Sequence, residues 1–188
     1  MRILWLCNMI PGPVQQALTG KPGSGLWVDH VLADLLQNPA HELCILCRGP
    51  QEAQGTVGGL RYRVFSEPVM HRYPKDLEEP FRQELSSFRP QVIHIWGTEY
   101  GHTLAMVNQC RDLGLLDHTL ISIQGLCGIY ARHYAEGLPD GLVHRFSPRD
   151  LLRLDNIAFQ RKRYIQRGEM EAQALALSRH VIGRTPWD

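Results

Sequence analysis

The longest uninterrupted apolar runs, such as Ile3 to Cys7 and Val92 to Trp96, stop at about five residues, far short of the roughly 20 that a bilayer-spanning helix needs. Charge of one sign is also missing. Twenty Lys and Arg stand against nineteen Asp and Glu for a formal net charge of +1, so no global field favours nucleic acid, and none is expected as a partner. Five cysteines, an odd number, do not make the dense disulfide framework of a small secreted module, and reduced thiols are expected. The opening Met1 to Asn8 runs straight into Pro11-Gly12-Pro13 without the apolar core and small-residue cleavage site of a secretory signal, which predicts a cytoplasmic protein. There is no His-Glu-x-x-His, no second cysteine pair and no carboxylate cluster of metal-binding spacing, so no metal or cofactor is expected. A Gly-x-Ser-x-Gly nucleophile elbow is absent too, which argues against an α/β-hydrolase.

What is present is an alternation. Short runs rich in bulky and β-branched residues, at 2–8, 42–47, 60–65, 91–96, 119–123 and 180–182, alternate with segments of helical period. That pattern predicts an α/β chain with a doubly wound, Rossmann-like parallel sheet in one domain over residues 1–188. Predicted helices carry Trp27, Val28, Val31, Leu32, Leu35 and Leu36 on one face, Phe81, Leu85 and Phe88 on another, and Leu104, Met106, Val107 and Cys110 on a third. Residues 11–25, 51–59 and 66–80 read as connecting loops, 130–148 has no firm period, and 150–177 reads as one or two helices. Arg184 to Asp188 looks like the opening of a further element, and a truncated polypeptide is the expectation.

Ligands of open parallel sheets sit at the carboxyl ends of the strands, where the strand order reverses. The residues that follow each predicted strand are therefore the candidates. After the first come Asn8 and a run containing Gly20, Gly23 and Gly25, either a phosphate-approaching turn or a plain connector. Its spacing matches neither Gly-x-Gly-x-x-Gly nor a phosphate-binding loop ending in Lys-Ser/Thr. After the fourth comes Gly97-Thr98-Glu99-Tyr100-Gly101-His102, where Thr98 and Glu99 serve either as helix caps or as contacts to a hydroxylated ligand. His94, inside that strand, reads as a satisfied core histidine. Gln124 to Gly128 follows the fifth strand, with Tyr130, Arg132, His133 and Tyr134 behind it, and Arg184 follows the sixth. Asn, Gln, Glu, His, Arg and aromatic side chains together suit sugars. Cys44 and Cys47 have Cys-x-x-Cys spelling but lie inside a strand, where residues three apart point to opposite faces. From 149 to 168, Arg149, Arg153, Arg161, Lys162, Arg163 and Arg167 outnumber Asp150 and Asp155. This is either a solvated helix face or a basic surface that leans on an anionic membrane or lipid-linked acceptor.

The opening Arg-Ile-Leu-Trp-Leu, the Gly-Leu-Trp-Val-Asp-His helix start, Pro90 to Gly97, Ile121 to Gly125 and His180 to Thr185 together resemble the N-terminal half of a family-4 (group 1) glycosyltransferase of the GT-B type. The resemblance covers essentially the whole chain. It implies an acceptor-side Rossmann-like domain, with a C-terminal donor-binding domain, holding the family's Glu-x7-Glu segment, absent from this chain. It also implies retaining transfer from a nucleotide sugar to a glycan or lipid-linked acceptor in polysaccharide biosynthesis, without a catalytic metal, and an inactive isolated chain. Carried over by position, Gln124 and Glu99 are the expected catalytic residues. Gly23, Gly25 and Arg184 are the expected contacts to the nucleotide diphosphate, and Asn8, His102, Tyr130 and Arg132 the expected substrate contacts. Gln124 stands where the family often presents a histidine, which removes an imidazole from the centre. A peripheral membrane contact through Arg149 to Arg167 goes with this reading. A glycan- or nucleotide-binding α/β module without chemistry is the alternative. A nucleotide-sugar epimerase or dehydrogenase would need a cleaner dinucleotide fingerprint and a Tyr-x-x-x-Lys pair, and neither is present.

Overall fold

The computed structural model describes residues 1–23, 27–153 and 155–185. Seven strands form one sheet: β1 (Arg2–Cys7), β2 (Glu42–Arg48), β3 (Ala53–Val57), β4 (Leu60–Phe65), β5 (Val92–Trp96), β6 (Thr119–Ser122) and β7 (His180–Ile182), in the order β3-β4-β2-β1-β5-β6-β7. All neighbours pair in parallel except β3 with β4. The chain winds outward from β1 in both directions. The order therefore reverses between β1 and β5, and a Rossmann-like α/β fold results.

Apolar residues on alternating strand positions feed two cores. One face carries Leu4, Leu6, Cys44, Leu46, Ile93, Ile95 and Ile121, and is covered by α3 (Glu78–Phe88), α4 (Gly101–Asp112) and α8 (Ile157–Leu177). The other carries Ile3, Trp5, Cys7, Ile45, Cys47, Tyr62 and Val64, and is covered by α1 (Gly12–Thr19) and α2 (Trp27–Gln37). Cys44 and Cys47 thus belong to different cores, with no disulfide, and burial pushes both thiols up to about 12. Among the described residues no helix is long and apolar enough to cross a membrane.

Several sequence expectations change. The 11–25 connector contains α1, started by Pro13 in its first turn and stopped by Gly20 at φ +70°. The 51–59 connector contains β3, an edge strand that returns on β4 through Gly58 and Gly59, both at positive φ. Helix α3 begins at Glu78, before Pro80, because proline is tolerated in the first turn. The stretch without period, 130–148, holds the end of α5 (Cys127–His133) and all of α6 (Asp140–Val143), and the region read as one or two helices is two, α7 (Pro148–Arg153) and α8. Of the apolar stripe on α2, only Val28 and Leu32 are fully buried, while Trp27 and Val31 face outward.

Candidate functional site

At the carboxyl edge, the strand-order reversal brings the turn after β1 against the turn after β5. Asn8 Nδ2 donates to Glu99 Oε2 at 2.7 Å, a side-chain bond across that reversal. Gly97 makes it possible. Its φ of +105° disfavours any other residue, and a methyl group there would collide with both Asn8 Nδ2 and Glu99 Oε2. With its amide nitrogen so engaged, Asn8 turns Oδ1 to His102, whose Nε2 donates at 2.9 Å. The other ring nitrogen, Nδ1, lies 2.5 Å from Glu67 Oε2. The chain of partners is therefore Glu67, His102, Asn8, Glu99, with Glu67 and His102 both buried. Burial, first of all, pushes the Glu99 carboxyl above its ordinary range, helped by the negative charge of Glu171 and opposed by hydrogen bonds that include the one from Asn8.

Beside this chain an open cleft of about 580 Å³ is lined by Asn8, Ile10, Gln15, Arg48, Glu67 and Pro68, among others. Arg48, at the end of β2, stands 3.9 Å from Glu67 and lays its guanidinium over the Tyr100 ring at 5.1 Å. From α8, Arg167 lies 4.8 Å from the same ring, and its Nε donates to the Glu99 carbonyl at 2.6 Å.

A second α8 residue settles the turn after β6. Glu171 is buried and accepts from Cys127 N at 3.2 Å, Gly128 N at 3.1 Å and the Thr98 hydroxyl at 2.7 Å. The N–H groups that open α5 at the carboxyl edge, which could have cradled an anion, are thus taken by a carboxylate of the protein itself. This contact also corrects both expectations for Thr98. Its hydroxyl neither caps α4 nor faces a ligand, because it is buried against Glu171 and the Gly125 carbonyl.

The expected site residues fall into separate places. Asn8 and Glu99 meet at the reversal, and the Tyr130 ring, 53% exposed, stands beside Gly125 near Glu99. His102 has no exposed surface and meets the edge of the cleft only through Asn8. Gln124 and Arg184 line a neighbouring cavity of about 230 Å³ with Trp27, Trp96 and Ile182, and Arg184 Nη1 donates to the Gln124 carbonyl at 3.3 Å. Arg132 lines a third cleft with His133, Asp140 and Arg161, apart from the others. A side chain on Gly23 would meet Gly12 Cα at 2.3 Å, one on Gly12 would meet the Asp29 carboxylate at 2.8 Å, and Gly25 lies outside the described residues. His94 fits the core-histidine reading. It bonds Ser122 Oγ at 2.8 Å and stacks on Trp96, and burial pushes its pKa down to about 4.

Three residues that matter here were missed. Arg48 ends β2 and Glu67 follows β4, so the same carboxyl-end rule would have found them. Glu171 comes from the middle of α8, where no local signal marks it, and Arg167, from the same helix, was noted only as part of a basic surface. In the basic 149–167 stretch, Arg161 Nε donates to the Ala131 carbonyl and Arg163 pairs with Asp155 at 3.8 Å, so with Arg167 half of that charge is tied into the fold. Comparison with protein-family models and with curated proteins finds no match for this chain.

Proposed function

We propose that this chain is the acceptor-side domain of a retaining, nucleotide-sugar-dependent glycosyltransferase of the GT-B type, family 4, in which a second domain supplies most of the donor site. The observation that carries the reading is the Asn8–Glu99 bond across the strand-order reversal, backed by a buried imidazole and opening on a cleft. A half-buried carboxylate held by an amide accepts hydrogen bonds from sugar hydroxyls in a fixed direction, and the exposed Tyr130 ring offers a flat face for stacking. The resemblance of five segments, in order, to that family gives the reaction type. Glu99 orients the acceptor hydroxyl, Gln124 and Arg184 meet the donor from the adjoining cavity, and catalysis comes from positioning and from stabilising charge on the departing nucleoside diphosphate. The acceptor is a glycan or a lipid-linked glycan. In the lipid-linked case Arg149, Arg153 and Lys162 are the basic residues available to an anionic inner membrane face.

The test is nucleoside diphosphate release from a panel of nucleotide sugars by the natural polypeptide that contains this chain. Glu99→Gln is expected to lower kcat by about a hundredfold with the melting temperature nearly unchanged. Undiminished turnover in that variant would sink the role of Glu99. Nucleotide-sugar binding without release of diphosphate from any donor would favour the non-catalytic module instead.

A further inference from the structure

Donors and acceptors along the chain Glu67, His102, Asn8, Glu99 can be counted. An ionised carboxylate only accepts, and one stands at each end, while the Asn8 amide offers a donor on one side and an acceptor on the other. With Nδ2 donating to Glu99 Oε2 at 2.7 Å, Oδ1 faces His102 Nε2 at 2.9 Å, so Nε2 must carry a proton. Glu67 Oε2, 2.5 Å from Nδ1, needs a second one. Turning the amide over moves the difficulty without removing it, because Oδ1 would then face the Glu99 carboxylate. With one ring proton, some contact always sets two acceptors together. Only a doubly protonated imidazole closes the chain, and water cannot mend the gap at His102, which has no exposed surface.

Arg48 Nε lies 3.9 Å from Glu67 Oε2, and a methyl group on Gly101, which opens α4, would stand 3.1 Å from Glu67 Oε1, so the positive end of the α4 dipole faces that carboxylate. Both favour negative charge on Glu67, and the same dipole opposes positive charge on His102. The rings of Phe65 and Tyr100 flank the imidazole. Around Glu99 stand the Glu171 carboxylate and Arg167 from α8, the Cys127 thiol from α5, and the Tyr130 hydroxyl beside Gly125. We infer that Glu67 is a positioning residue for Glu99: by holding a second proton on His102 it keeps the N–H end of the Asn8 amide on the Glu99 carboxylate. When that proton passes to solvent base, the contact at half-buried Glu99 yields before the enclosed one at Glu67. The amide then rotates by half a turn, its N–H goes to the bare Nε2, and Glu99 loses its hold. On the glycosyltransferase reading, on which only this last step rests, Glu99 then no longer fixes the acceptor hydroxyl.

Replacing either carboxylate by its amide supplies the missing donor, and the two replacements do so at opposite ends. Glu67→Gln donates to Nδ1, which leaves a neutral ring protonated at Nε2 and Asn8 in place. Glu99→Gln donates to Asn8 Oδ1, which leaves a neutral ring protonated at Nδ1 and Asn8 reversed. The experiment records ring-nitrogen NMR spectra of the full chain, labelled with 15N-histidine, at pH 7, where an unassisted imidazole is mostly neutral. The His102→Gln spectrum identifies the signals. Expected are two ring protons in the wild type, one on Nε2 in Glu67→Gln and one on Nδ1 in Glu99→Gln. A neutral ring in the wild type overturns the inference, and so does the same ring state in both variants. Glu99 is half-buried, so its replacement keeps the test open should Glu67→Gln fold poorly, and a ring unchanged by Glu99→Gln then overturns the inference. In the natural polypeptide that contains this chain, kcat is expected to fall about tenfold per pH unit on the alkaline side, and Glu67→Gln to lose that limb. The expected ring states without nucleoside diphosphate release from any sugar donor would defeat the enzymatic reading alone, whereas turnover with a neutral wild-type ring would defeat this one alone.

Discussion

The two ends of the sheet solve the same electrostatic problem in opposite ways. At the amino end, nearly buried Glu84 takes Arg61 at 2.6 Å and Arg63 at 3.5 Å, beside a cleft of about 490 Å³ lined by Arg2, Glu42 and Arg61. At the carboxyl end, Glu67 is equally buried but gives Oε2 to His102, with Arg48 Nε 3.9 Å away, while its Oε1 has no hydrogen-bond partner among the described residues. Neutralised charge holds a structure together. A buried carboxylate oxygen left without a donor, as at Glu67, is a cost that the carboxyl end carries.

The comparison breaks most visibly at Glu67. Removing one member of a buried pair strands the other, so Glu67→Ala is expected to cost about 3 to 5 kcal/mol by urea denaturation; a loss under about 1 kcal/mol would mean the carboxyl end carries no buried pair. Next is the joint that brings α8 to that end. A methyl group on Gly168 would sit 2.7 Å from Gly128 Cα and 2.8 Å from Gly128 N, both backbone atoms that cannot rotate away. Gly168→Ala is therefore expected to cost about 3 kcal/mol and to weaken whatever the cleft binds. The third test is pH. His94 has a folded pKa of about 4 against an ordinary 6.5, because burial favours its neutral form. Its contribution is fully present above about pH 6.5 and is lost as pH falls toward 4, by about 2 kcal/mol for this partly exposed ring. A His94→Gln variant should lose that slope. Smallest is Glu84→Gln at the amino end, where both arginines remain solvated: about 1 kcal/mol in the melting curve.

How much of this was legible depends on where the information sits. Strands β1, β2 and β5 announce themselves because burial on both faces demands continuous apolar runs. Strand β3, with the sequence Ala-Gln-Gly-Thr-Val, does not, since an edge strand paired on one side needs little burial. Helix α1 hid among glycines and prolines that were its start and stop signals. Asn8 and Glu99 were found by a rule of topology, and Arg48 and Glu67 satisfy that rule as well. Glu171 and the use made of Arg167 were beyond reach, because partners 73 and 68 positions away leave no mark on local pattern. In the turn after β6, only the folded chain shows Glu171 taking the Cys127 and Gly128 N–H groups.

The cysteines on β2 carry one more consequence. Cys44 lies in the core under α3, α4 and α8, and Cys47 in the core under α1 and α2. Neither thiol can meet a reagent, or ionise to react with one, until its own layer lifts from the sheet. Three residues apart on one strand, they are a built-in pair of clocks. Alkylation of the two at a common rate would mean that the protein opens as a single body, and unequal rates would time the departure of each helical layer on its own.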